Sequence, residues 1–115
     1  MEVEFYQSAS GTLYVKEVID NLPANTQSKI VKILELLEKE GINFLIHIGK
    51  MKKIKGHTVD LYELRFHINK IWYRIFCIPY KSKCWLLHIF QKKTNDTPSR
   101  EISTAITRAK DLLST

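Results

Sequence analysis

Three β-rich runs stand almost end to end in the second half of the chain: Val59–Ile68, Ile71–Tyr80 and Cys84–Lys93. Their connectors, Asn69-Lys70 and Lys81–Lys83, are short enough for hairpins, so the three runs predict an antiparallel meander. The elements around it follow from periodicity. Val3–Tyr6 reads as a short first strand. Ser10 is positioned to cap a helix over roughly 11–22 with Val15, Val18, Ile19 and Leu22 on one face, ended by Pro23. A second helix runs from Asn25 to Glu40, with Ile30, Ile33, Leu34 and Leu37 inward and Gly41 at its stop. The short link predicts an antiparallel helix hairpin. Residues 42–58 are mixed, their second half basic, and predict a loop with little regular structure. Thr97-Pro98 caps and opens a last helix, with Ile102, Ala105, Ile106, Ala109 and Leu113 on one face. The order β-α-α-β-β-β-α predicts an α+β fold. In it the helix hairpin and the C-terminal helix pack against one face of a small, mainly antiparallel sheet.

With 115 residues, the chain is expected to form a single domain over 1–115. Its composition, 44% hydrophobic and 26% charged, is that of a globular chain rather than a disordered or fibrous one. No apolar run approaches the roughly 20 residues that span a membrane. The opening MEVEFYQSAS carries acids where a secretory signal carries basic residues, so a cytoplasmic protein without membrane association is expected. Cys77 and Cys84 are too few for a disulfide framework and read as small buried thiols. Neither the cysteines nor the scattered histidines offer a four-ligand spacing, so no metal or other cofactor is expected.

The charge is one-sided. The net charge is +6, yet residues 50–100 hold twelve lysines and arginines against only Asp60, Glu63 and Asp96. The remainder of the chain is slightly acidic. A basic half of this kind is the electrostatic footprint of a polyanion binder, and the bland alternative is a solvated face that serves only solubility.

Strand parity sorts these charges, because successive residues point to opposite faces. One face takes Tyr62, Leu64, Phe66 and Ile68, then Ile71, Tyr73, Ile75 and Cys77, then Trp85, Leu87 and Ile89. The other takes Leu61, Glu63, Arg65 and His67, then Trp72, Arg74, Phe76 and Tyr80, then Leu86, His88, Phe90 and Lys92. The second face interleaves cations with rings. Guanidinium and ammonium groups suit phosphate, and exposed rings stack on unpaired bases. A single bulge would reverse the parity of the third strand. His57 and His88 are acid–base candidates, since histidine titrates near neutrality.

LYELRF at 61–66, WYRIF at 72–76, HIFQKKT at 88–94 and TPSREI at 97–102 together resemble the HigB-like branch of the RelE/ParE toxin superfamily. These are toxins of bacterial and phage type II toxin–antitoxin modules. The resemblance covers nearly the whole chain. It implies an mRNA endonuclease, or mRNA interferase, that acts on messages in the ribosomal A site and inhibits translation. It also implies a cognate helix-turn-helix, HigA-like antitoxin in a toxin–antitoxin hetero-oligomer. By motif position Arg65 and Arg74 would bind phosphate, Lys92 and Lys93 would form the K-K-T pair, and Lys50, Lys52, Lys53 and Lys55 would be the basic residues before the central strand. Together with His57, Trp72, His88 and Phe90, these lysines are the expected RNA-binding set. Chemically, the RNA 2′-OH would attack the adjacent phosphate. Glu63 or a lysine would take its proton, and Lys92 or His88 would protonate the leaving oxygen. The tail TRAKDLLST lacks the tyrosine or histidine that several superfamily members carry there. Two other readings compete: a ParE-like gyrase poison, which needs no phosphate-clamping sheet, and a non-enzymatic RNA-binding module. The antitoxin could lie on the polar helix faces bearing Glu35, Glu38, Lys39 and Glu40, or cover the basic face directly.

Overall fold

In a computed structural model that describes residues 1–93 and 98–115, the chain forms β1 (Glu2–Phe5), α1 (Tyr14–Asp20), α2 (Ala24–Glu40), α3 (Ile42–His47), β2 (Met51–Lys53), β3 (Tyr62–Ile68), β4 (Ile71–Tyr80), β5 (Lys83–Gln91) and α4 (Ser99–Leu113). The five strands form one sheet in the order β1-β5-β4-β3-β2. The predicted meander is present: β3 pairs antiparallel with β4, and β4 with β5. β1 adds a parallel pairing, alongside β5. The two hairpins close through Asn69-Lys70 and Lys81-Ser82, all four residues at positive φ, as two-residue turns matched to strand twist require. Asn69 also ties its turn to α2, donating from Nδ2 to the buried Thr26 hydroxyl at 3.4 Å.

Residues 42–58 are not the loop expected. Gly41, at φ 86°, ends α2 and lets the chain restart at once as α3, and the basic stretch then adds β2 as an edge strand on β3. Leu45 and Met51, both buried, explain the difference: each drops an apolar anchor into the core, while Phe44, Ile46 and Ile48 stay exposed. Ser10 does not cap α1 either. That helix starts at Tyr14 with no side-chain cap, and the Ser8 hydroxyl instead accepts from the Thr12 amide at 3.0 Å. Val18 and Leu113, expected inward, are exposed, and Leu112 takes the buried place in α4. Pro98 stands immediately before α4, and Thr97 lies outside the described residues.

The helices occupy both faces of the sheet, not one. Val15, Ile19, Ile30, Leu34, Leu37 and Leu45 from α1–α3 pack on Leu64, Phe66, Tyr73, Ile75 and Leu86. On the opposite face Ala105, Ala109 and Leu112 of α4 pack on Leu61, Phe76, Ile78 and Leu87. The two alanines let α4 approach closely, and each large side chain removed from water contributes about 1.5–3 kcal/mol. A bulge in β5 adds to this second layer. Phe76 pairs with His88 while Cys77 pairs with Leu86, which leaves Leu87 as the extra residue on β5. Parity in β5 is therefore as predicted from His88 onward and reversed before it: Leu86 joins the α1–α3 core, whereas Trp85 and Leu87 face α4. Phe76, expected as an exposed ring, is fully buried under α4. Cys77 and Cys84 are buried thiols, as expected. Among the described residues no helix is long and apolar enough to cross a membrane.

Candidate functional site

α4 covers only part of its face. Beyond it, cross-strand pairing aligns the charged side chains in rows: Lys52 beside Glu63, Arg65 beside Arg74, and His67 beside Trp72. The next strand continues them, with Phe90 beside Arg74 and the Lys92 amide donating to the Trp72 carbonyl at 2.8 Å.

Glu63 has no exposed surface, and its Oε1 lies 3.2 Å from Arg74 Nε and 3.9 Å from Lys52 Nζ. At 3.2 Å the Arg74 contact is an ion pair whose alignment falls short of a hydrogen bond. A buried carboxylate without cations nearby would be costly, so the pair is obligatory to this packing. Arg74 is itself buried. Burial lowers its pKa from the ordinary arginine value, Glu63 opposes that change, and Arg65 adds to it. Its guanidinium lies over the Trp72 ring at 5.3 Å and donates from Nη1 to the Tyr73 carbonyl at 3.3 Å.

Arg65 is held by the turn between α3 and β2. Its Nε donates to the Gly49 carbonyl at 3.0 Å and its amide donates to the Lys50 carbonyl at 2.9 Å. Gly49 sits at φ 78°, a conformation that glycine adopts without strain. The result is an open cleft of about 560 Å³ lined by Ile48, Gly49, Lys50, Arg65, Phe66, His67, Trp72 and Arg74. Two arginines directly opposite on neighbouring strands repel each other. Glu63 offsets one of them, and an anion in the cleft would offset the other.

The structure therefore gathers Lys50, Lys52, Glu63, Arg65, Trp72 and Arg74. Trp72 is 47% exposed. Lys53 turns aside to Asp60 at 3.1 Å, which raises its pKa from the ordinary value, and Lys55 and His57 are exposed in the segment between β2 and β3. Lys93 is exposed past β5, beside a separate cavity of about 440 Å³ shared with Phe90, Gln91, Pro98, Arg100 and Glu101.

His88 lies on the same face but belongs to α4. Its Nε2 meets Glu101 Oε2 at 2.5 Å, and Arg108 Nη1 reaches its Nδ1 at 3.3 Å and the Leu87 carbonyl at 2.8 Å. The Arg108 guanidinium also covers the Tyr14 ring at 3.8 Å. This arrangement holds α4 and α1 onto β5 and sits apart from the Arg65–Arg74 cleft. Nearby, Tyr6 donates from its hydroxyl to Asp111 at 2.5 Å, and burial followed by that bond pushes its pKa up to about 12.

Two participants escaped the sequence reading. Gly49 carries no chemical signal of its own. His67 was placed on the right face but not singled out, although the two-residue turn at 69–70 already sets it opposite Trp72. Their rings stack at 4.7 Å with planes 23° apart.

No curated protein matches the chain. The family model described as Phage derived protein Gp49-like (DUF891) matches residues 17–110, a span that takes in every element from the middle of α1 into α4. Membership in that family is consistent with a toxin of a toxin–antitoxin pair, which implies an antitoxin partner. The chain belongs to the Gp49-like phage-derived protein family, within the RelE/HigB-like toxin superfamily.

Proposed function

We propose that this protein is a ribosome-dependent mRNA endonuclease that inhibits translation and is neutralised by a cognate helix-turn-helix, HigA-like antitoxin in a hetero-oligomer. The observation that carries this reading is the Arg65–Arg74 pair, directly opposed across β3 and β4 and facing an open cleft. Such a pair is unfavourable without an anion and matches a phosphodiester with one.

In this reading the two guanidinium groups hold the scissile phosphate. They stabilise the extra charge that develops as the ribose 2′-oxygen attacks phosphorus. The O2′–P bond forms and the P–O5′ bond breaks, leaving a 2′,3′-cyclic phosphate and a 5′-hydroxyl. Attack from within the RNA needs no external nucleophile, and a DNA strand, lacking the 2′-OH, does not react. Lys92, whose backbone pairs with that of Trp72, protonates O5′. Glu63 is too deeply buried to meet a 2′-OH, so it acts by holding Arg74 in line. Lys50, Lys52 and Lys55 track the flanking phosphates, and exposed Trp72 borders the path of the unpaired strand.

Primer extension on a defined message, with and without programmed ribosomes, tests the reading. Cuts confined to the ribosome-containing reaction and ending in 2′,3′-cyclic phosphate are expected. Cuts on bare RNA would retain the nuclease and remove the ribosome. No cut in either reaction, from folded toxin free of antitoxin, would overturn the nuclease and favour a gyrase poison or a non-catalytic RNA binder.

A further inference from the structure

We propose that His67 is the general base of the cleft, the group that accepts the 2′-OH proton; this rests on the endonuclease reading above. Of the side chains lining the cleft, Lys50, Arg65 and Arg74 end in ammonium or guanidinium groups, which donate hydrogen bonds and cannot accept them. Ile48, Phe66 and Trp72 offer no acceptor either. The neutral imidazole of His67 does, through the nitrogen not carrying its proton.

Position supports the same role. His67 is exposed, lies two residues along β3 from Arg65 on the same face, and stands across from Trp72, two ladder pairs from the Arg65–Arg74 pair. Stacking on Trp72 fixes its ring plane, so the ring needs little reorganisation to meet the ribose. Trp72 is thereby a positioning residue for His67. Glu63, buried behind Arg74, and His88, bonded to Glu101 and Arg108 of α4, are both drawn away from the cleft. Among the described residues lining the cleft, the charged groups that face His67 are Lys50 before β2, Arg65 on its own strand and Arg74 on β4, and the Lys92 backbone pairs with Trp72 beside them. In the step itself the 2′-OH proton passes to the His67 ring nitrogen as O2′ bonds phosphorus. The O5′ leaving group takes its proton from Lys92, and the cyclic phosphate and 5′-hydroxyl balance the reaction.

The test is single-turnover cleavage of a programmed ribosomal message by the wild type, His67→Ala, His67→Asn and, as a control outside the cleft, His47→Ala. Both His67 variants are expected to lose about 10²–10⁴-fold in rate. They should keep their Tm and their affinity for a message carrying a 2′-deoxy residue at the cut site. Added imidazole should restore part of the His67→Ala rate, and the variant should lose the limb over which the wild-type rate climbs with pH. The control should match the wild type. His67 variants that cleave within about threefold of the wild type would overturn the assignment while leaving the nuclease intact. A large loss without imidazole rescue and with the pH profile unchanged would also overturn it. If the wild type itself cuts nothing, the nuclease and its base fall together.

Discussion

Arg65 and Arg74 are direct partners across the β3–β4 ladder, one anchored on the Gly49 carbonyl and the other on the buried Glu63 carboxylate. Equivalent in charge, they differ in what their removal leaves behind. Arg65→Ala forfeits one hydrogen bond at a half-exposed site, about 1 kcal/mol. Arg74→Ala takes the nearer cation from a buried carboxylate, leaving Lys52 at 3.9 Å, and is expected to cost about 3–5 kcal/mol. Both should lose cleavage by about 10²-fold or more. Urea denaturation of the two variants side by side decides the matter. Equal midpoints would show that Glu63 does not depend on Arg74.

Gly49 makes a second, subtler handle on the same arginine. A Cβ at this position meets no heavy atom within 4 Å, so the penalty of Gly49→Ala is conformational only, about 1 kcal/mol for a left-handed backbone. Cleavage should fall further than that stability loss alone explains, because the carbonyl that orients Arg65 moves. Asparagine, which tolerates this conformation better, should sit between glycine and alanine in both assays. A rate unchanged in Gly49→Ala would separate Arg65 from the turn.

The hairpin turn between β4 and β5 holds Lys81 at φ 50° and Ser82 at φ 65°. Neither residue type favours that region, whereas Asn-Gly does. Replacing Lys81-Ser82 with Asn-Gly should stabilise the fold by about 1 kcal/mol and leave cleavage alone, since the turn lies outside the cleft. A thermal melt reads the gain, and a drop in Tm would mean that the turn is not the two-residue type described.

Alkaline pH should weaken the fold through Tyr6. Its hydroxyl is neutral in the fold up to about 12, against an ordinary tyrosine value of 10.0, because burial and Asp111 both oppose the phenolate. A raised folded-state value stabilises the fold fully below pH 10. That stability is then lost as pH rises through the 10–12 window. Tyr6→Phe should lose the hydrogen bond, about 1 kcal/mol at neutral pH, and show a flatter decline over 10–12. Urea midpoints measured at several pH values test this, and parallel declines in the two proteins would contradict it.

The meander was legible because period-two alternation and two short connectors leave one topology open, and Asn69-Lys70 alone sets the register that brings Arg65 opposite Arg74. The cation-bearing face followed from parity for the same reason. What the linear pattern hid was tertiary. An extra residue at Leu87 looks like any other apolar position, yet it turns Trp85 and Leu87 toward α4 and so adds them to the layer that Phe76 and Ile78 already offer. Residues 42–58 concealed two structured elements because, of their apolar residues, only Leu45 and Met51 bury themselves. Glu63 shows the limit most clearly. In sequence it is an acidic residue two positions before Arg65, and only packing reveals that it has no exposed surface.

The pairing of β1 has a consequence for how the molecule comes into being. Glu2 is made 81 residues before Lys83, beside which its place lies, and Tyr6 closes onto Asp111. At translation rates of roughly 5–20 residues per second, β1 waits on the order of 4–16 s before its neighbour even exists. The edge strand must therefore dock late, against a sheet already assembled from its C-terminal side. During synthesis, the cleft-bearing hairpin can form before the molecule has acquired its full width.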